Sequence, residues 1–207
     1  LGLKKTDFIV LYVGRIAKEK SIDFLINNFN SVLKQIPKAK MIIVGDGPDI
    51  KDLIDLAKKE GLENKIIFAG KAPWTDVPKY YSLCDVFVTA SKTETQGLTV
   101  MEAMGASKPV VAIRDESFEL MITDKKDGLF FDDEKSYVDM IYEVYKNKKL
   151  RDEISFNARL TADKYSPYNY AKNVLKVYEK VISKDTNVVK KVVHNVKNIF
   201  TKSGGKK

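Results

Sequence analysis

Two glutamates, Glu94 and Glu102, stand eight positions apart in the stretch TETQGLTVMEAMG. Gly97 lies between them, and a helix-period run begins at Leu98 and Thr99. Backbone N–H groups at such a helix start have no partner within the helix and sit at its positive end, so they can donate to phosphate oxygens. A carboxylate offers two acceptor oxygens, which match the vicinal hydroxyls of a sugar. The order carboxylate, amide donors, carboxylate therefore suits a sugar, a diphosphate and a ribose in succession. Glu94 would take the sugar and Glu102 the ribose. Glu102 is expected on the first turn of the helix, where the dipole favours its charge. Spacing alone leaves a plainer alternative open: Glu94 as a solvated loop residue and Glu102 as an ordinary first-turn acid.

A second candidate lies upstream in GRIAKEKS. Gly14 permits close approach of backbone to a ligand. Arg15 brings a planar fork suited to phosphate oxygens, and Lys20 a point charge. Ser21 is expected to N-cap the next helix, whose positive end then faces the same loop. Together these groups suit a diphosphate; the alternative is two solvated loop cations. Neither a GxGxxG turn nor a P-loop is present, which disfavours ordinary dinucleotide and Walker-type sites. In VGDGP, Gly45 and Gly47 are expected only to turn the chain. No DxD pair or cluster with metal-ligand spacing occurs, and Asp132 and Asp133 read as turn or cap residues.

The elements that must position these residues follow from periodicity. Short Val- and Ile-rich runs (FIVLYV, MIIV, KIIFAG, DVFVTAS, KPVVAIR, GLFF) alternate with helix-period segments. Ile22, Leu25, Ile26, Phe29, Val32 and Leu33 form the apolar face of the first helix. Further helices are expected over about 49–60, 134–146, 150–165 and 167–184. Such alternation predicts an α/β domain, a doubly wound, Rossmann-like parallel sheet of about six strands with helices on both faces. Ligands of such sheets bind at the carboxyl ends of the strands.

Composition narrows the classes. A single cysteine, Cys84, excludes an intrachain disulfide and a thiolate metal cluster and fits a reducing compartment. No apolar run is long enough to span a membrane, and no signal peptide is visible. Of the net charge of +8, residues 184–207 supply +6, from seven lysines and one aspartate. A main domain over 1–183 and a basic tail over 184–207 are therefore expected. In the tail, Val188, Val189, Val192, Val193, Val196, Ile199 and Phe200 recur at helical spacing among lysines. A basic amphipathic helix over 188–202 would suit an anionic membrane surface. The alternatives are a helix packed on the absent domain, or disorder, since valine is a poor helix former. Nucleic acid is not expected, because only Phe200 interleaves with the basic residues.

LYVGRIAKEKSIDFLI, IIVGDGP, IIFAGKAPWTDVPKYYSLCDVFVTAS, TETQGLTVMEAMGASKPVVA and DGLFF, in that order, resemble the retaining glycosyltransferases of the GT-B fold. The resemblance covers about residues 6–183. The form SKTETQGLTVMEAM, with Gln96, resembles a subgroup that glucosylates diacylglycerol in low-GC Gram-positive bacteria. The resemblance implies the C-terminal, donor-binding half of a two-domain fold, with UDP-glucose as donor and a membrane lipid such as diacylglycerol as acceptor. It implies that Arg15 and Lys20 neutralise the diphosphate leaving group, that Gly14 passes close to it, and that Glu94 holds the donor sugar. The amides of Gln96, Gly97, Leu98 and Thr99 would contact sugar and phosphate, Glu102 the ribose, and Gly70, Lys71 and Ala72 the base. It implies retention without a metal or other cofactor, and a cytoplasmic protein peripheral on the inner face of the membrane. The family's acceptor-binding N-terminal domain is not in this chain, whose one histidine, His194, lies in the tail. The chain alone is thus expected to bind donor without transferring sugar. The alternatives are UDP-N-acetylglucosamine or GDP-mannose with a polysaccharide or protein acceptor, or a non-catalytic nucleotide-sugar-binding module.

Overall fold

A computed structural model describes residues 1–94 and 97–182. Its centre is one six-stranded sheet: β1 (Phe8–Val13), β2 (Ala39–Val44), β3 (Ile66–Gly70), β4 (Val86–Thr89), β5 (Val110–Ile113) and β6 (Leu129–Phe131). The strand order is β3-β2-β1-β4-β5-β6, and every neighbouring pair is parallel. All six residues of β1 are buried. Coverage on both faces explains why the strands read as unbroken apolar runs rather than as alternating ones.

The crossovers are α1 (Ile22–Asn27), α2 (Phe29–Gln35), α3 (Ile50–Lys59), α4 (Val77–Leu83), α5 (Leu98–Gly105) and α6 (Glu116–Glu119), and α7 (Glu134–Lys146) and α8 (Lys148–Lys164) follow the sheet. Right-handed crossovers running outward in both directions from β1 put the two sets of helices on opposite faces. Phe131 of β6 stacks on Phe24 of α1 at 5.6 Å and meets Tyr137 of α7 edge-on at 5.2 Å. Cys84 is buried, which pushes its thiol up to about 12 and leaves it inert.

The first helix differs from expectation at two points. Ser21 is not an N-cap: it is left-handed (φ 48°), its side chain caps nothing, and its N–H closes the 3-10 turn Lys18–Lys20. The helix also breaks at Asn28, whose side-chain amide competes for the carbonyl of Phe24 at 2.9 Å. Of the expected apolar face, Ile22, Leu25, Ile26, Phe29 and Val32 are buried all the same, and Leu33 is half-buried against them. Two short helices, α4 and α6, escape a periodicity reading because neither is long enough to build an apolar stripe. Asp133 does cap: it starts α7 with a capping box, accepting from the Ser136 N–H at 2.7 Å.

Contacts group Leu1–Ala162 as one compact unit and Asp163–Lys207 as a second, where the sequence suggests a single domain to residue 183. The second unit contains α9 (Pro167–Ile182), whose Tyr168, Tyr170, Val177, Tyr178 and Val181 are exposed. The expected amphipathic tail and His194 lie outside the described residues, as does Gln96. Among the described residues no helix is long and apolar enough to cross a membrane.

Candidate functional site

The strand order reverses between β1 and β4. Their following loops therefore part in opposite directions and leave a crevice at the carboxyl edge. A cleft of about 390 Å³ lies there, lined from the first half by Tyr12–Arg15, Glu19 and Lys20, and from the second by Thr89, Glu94 and Gly97–Thr99. Two stretches about eighty residues apart in the chain thus meet, as their chemistry suggested.

Lys20 reaches across the crevice. Its ammonium donates to Glu94 Oε1 at 2.6 Å and lies 3.4 Å from the buried Ser91 hydroxyl. Both side chains of this ion pair are mostly screened from water, at 17% and 21% exposure. Arg15 is more exposed and makes only a long 3.8 Å contact with Glu19. Such an exposed pair contributes little and yields readily to a stronger anion. The cleft therefore holds two cations balanced by two carboxylates, Glu19 and Glu94.

Two tyrosines absent from the sequence-based site fix this machinery. The Tyr12 hydroxyl donates to the Arg15 carbonyl at 3.0 Å and so holds the loop from beneath. Burial raises its pKa, with the charges of Glu94 and Glu19 adding, so it remains a neutral donor. The Tyr81 hydroxyl donates to Glu102 Oε2 at 2.8 Å and lies 3.2 Å from the Thr99 carbonyl. Burial first, then the charge of Glu102, raises its pKa as well. Tyr12 lies in an apolar strand and Tyr81 in the short helix α4, and nothing in either local pattern distinguishes them from core residues.

Helix α5 opens with Gly97 in the left-handed conformation (φ 52°) and has no side-chain cap. The first amides of α5 are thereby left to an outside acceptor at the cleft wall, where Leu98 and Thr99 sit. Glu102 is the fifth residue of α5, on its second turn rather than its first. The helix starts at Leu98, as expected, and four residues separate that start from Glu102. Glu102 consequently lines a different cavity, of about 430 Å³, with Trp74, Val77, Pro78, Tyr81, Gly105 and Ala106.

Gly45 and Gly47 do more than turn the chain. A Cβ on Gly45 would stand 1.8 Å from the Gly14 carbonyl oxygen, and one on Gly47 2.0 Å from that of Ile16. The loop after β2 thus packs directly on the loop that carries Arg15. The Gly14 N–H donates to Val44 and that of Gly45 to the Gly70 carbonyl, at 3.0 and 2.9 Å, which ties the three loops into one layer. Gly70, Lys71 and Ala72 stand at this carboxyl edge but line neither cavity. Among the described residues no group of three or more His, Cys, Asp or Glu side chains could hold a metal ion.

Fold and cleft together define a Rossmann-like α/β domain whose candidate site is at its switch point. Residues 1–161 match the model of the family "Glycosyl transferases group 1", and the chain belongs to that family. It is 36% identical over 194 residues to the alpha-monoglucosyldiacylglycerol synthase of Acholeplasma laidlawii, covering 92% of this chain and 48% of that protein. It is 29% identical over 205 residues to the protein of the same name from Streptococcus pneumoniae, covering 95% of this chain and 46% of that one. The chain thus spans about half the length of these relatives. Among solved structures, it resembles a mutant of TarM from S. aureus in complex with Fondaparinux, alpha-GlcNAc-glycerol and UDP. That match has a TM-score of 0.75 and 26% identity, covering 85% of this chain and 37% of the other.

Proposed function

We propose that this chain is the donor-binding half of a retaining glycosyltransferase that moves glucose from UDP-glucose to a membrane lipid such as diacylglycerol. The observation that carries the proposal is the meeting of Arg15, Lys20, Glu94 and the first amides of α5 in one cleft, with Glu102 one turn further along α5 in a neighbouring cavity. The names of the two relatives support glucose and diacylglycerol. The UDP held by TarM supports uridine.

The chemistry follows from charge. The bond between the anomeric carbon and the β-phosphate oxygen breaks with its electron pair going to the oxygen, and the sugar becomes oxocarbenium-like. Arg15, Lys20 and the amides of Gln96–Thr99 oppose the charge that grows on the phosphate. Glu94 holds the sugar hydroxyls and leaves the anomeric carbon open to an acceptor hydroxyl on the same face, whose oxygen bonds to that carbon while its proton passes to the departing β-phosphate oxygen, which retains configuration. Gly14 lets the diphosphate approach, Glu102 takes the ribose diol, and Gly70, Lys71 and Ala72 meet the base through their backbone. Charge stabilisation by these groups needs no metal. Binding in excess EDTA should therefore equal binding without it. Transfer requires a second domain for the acceptor, and the protein works at the inner face of the membrane.

Saturation-transfer NMR on UDP-glucose tests this placement. Both glucose and ribose protons should receive saturation. Glu94→Gln should silence the glucose signals alone, and Glu102→Gln should weaken the ribose signals. The placement fails if Glu94→Gln silences the ribose and leaves glucose unchanged.

A further inference from the structure

Trp74 is the one tryptophan of the chain, and it is 85% exposed. Single exposed apolar side chains are ordinary. This one stands on the wall of the cavity that holds Glu102, beside Val77, Pro78 and Ala106. The walls of that cavity are otherwise apolar, and the Tyr81 hydroxyl fixes its carboxylate from one side at 2.8 Å. One flat aromatic, one oriented carboxylate and apolar walls match a nucleoside, which is a flat ring joined to a diol.

The covalent structure of a nucleotide sets the direction. The ribose diol is at C2′ and C3′, the diphosphate leaves from C5′, and the base is attached at C1′. With the diol on Glu102 and the diphosphate at the first amides of α5, one turn back along the helix, the base extends away from the diphosphate. Glu102 and Trp74 line one cavity, so a base joined to that ribose lies in the same space as Trp74. We infer that Trp74 stacks on the face of the nucleobase and is a binding residue for the donor. This rests on the donor-site reading above. Stacking supplies affinity without reading base edges, because every base has a π-face. Discrimination among bases is left to the backbone after β3.

Because Trp74 is the sole tryptophan, its fluorescence reports on this position alone. The 207-residue chain is titrated with UDP and with inorganic pyrophosphate, following tryptophan emission and calorimetric heat in parallel. UDP should quench or shift the emission at the same concentrations that release heat, while pyrophosphate should leave it unmoved. Trp74→Ala, a change at an exposed position that leaves the core intact, should weaken UDP on the order of tenfold and spare pyrophosphate. Trp74→Phe should recover most of the loss. UDP heat with unmoved emission, or a Trp74→Ala chain that binds UDP as tightly as its parent, overturns the stacking and leaves the donor site standing. UDP that gives no heat at all overturns the donor site and the stacking with it.

Discussion

The ion pair between Lys20 and Glu94 sets the behaviour of the site at the scale of single residues. If the diphosphate must draw Lys20 away, Glu94→Gln removes a competitor for that lysine as well as a ligand for the sugar. UDP should then bind the variant at least as tightly as the parent, while UDP-glucose loses its advantage over UDP. The ratio of the two dissociation constants, measured by calorimetry, checks this. Tyr81→Phe removes a hydrogen bond that orients Glu102. It should cost about 0.5–1.5 kcal/mol in UDP binding, several-fold in affinity. Sequence spacing made Arg15, Lys20, Glu94 and Glu102 visible because charged groups beside a strand end or helix start imply a use. Tyr12 and Tyr81 stayed hidden. The Tyr12 hydroxyl acts on the loop three residues on and the Tyr81 hydroxyl on a helix about twenty on, and a local pattern does not reveal where a hydroxyl points. The balance of the cleft was hidden likewise, since the pairing of Lys20 with Glu94 is a matter of distance and not of order in the chain.

At the scale of elements, the loops after β1, β2 and β3 form one layer with backbone in contact with backbone. Gly45→Ala places a methyl against the Gly14 carbonyl and on a backbone at φ 145°. The variant should lose about 1–3 kcal/mol of stability, read as a lower urea midpoint, and bind UDP more weakly because Arg15 moves with the loop. The helix caps add a pH dependence. Asp115 and Asp133 both have lowered pKa values, chiefly through hydrogen bonds from Ser117 and Ser136 respectively. A carboxylate with a depressed folded-state pKa adds stability above its unfolded value of 3.8 and loses it as pH falls through the folded value. Asp133→Asn should therefore narrow the gap between the urea midpoints at pH 7 and pH 3, with the change coming from the neutral side. Strands and long helices were legible because burial on two faces and a 3.6-residue period each leave a pattern. Ser21 misled because a serine before an apolar stripe fits an N-cap equally well when it closes a preceding turn. The role of Gly45 and Gly47 as spacers could not be separated from turn-making, because both need the same residue.

At the scale of the molecule, the reversal of strand order at β1 and β4 makes the site, and the alternation of strands and helices in the sequence already implied a sheet with such an edge. The pairing of loops one and four at the switch point was legible only as a rule about doubly wound sheets. The division of the chain at Ala162 was not legible, because α8 and α9 carry ordinary helical periodicity on both sides of it. The central claim is that the cleft binds a uridine diphosphate sugar. The most direct test is isothermal titration of this chain, without added metal, with UDP-glucose, UDP-N-acetylglucosamine, UDP and GDP-mannose. Heat is expected from the uridine ligands, with UDP-glucose the tightest and GDP-mannose silent. Preference for GDP-mannose would contradict the donor, and no heat from any of the four would contradict the site.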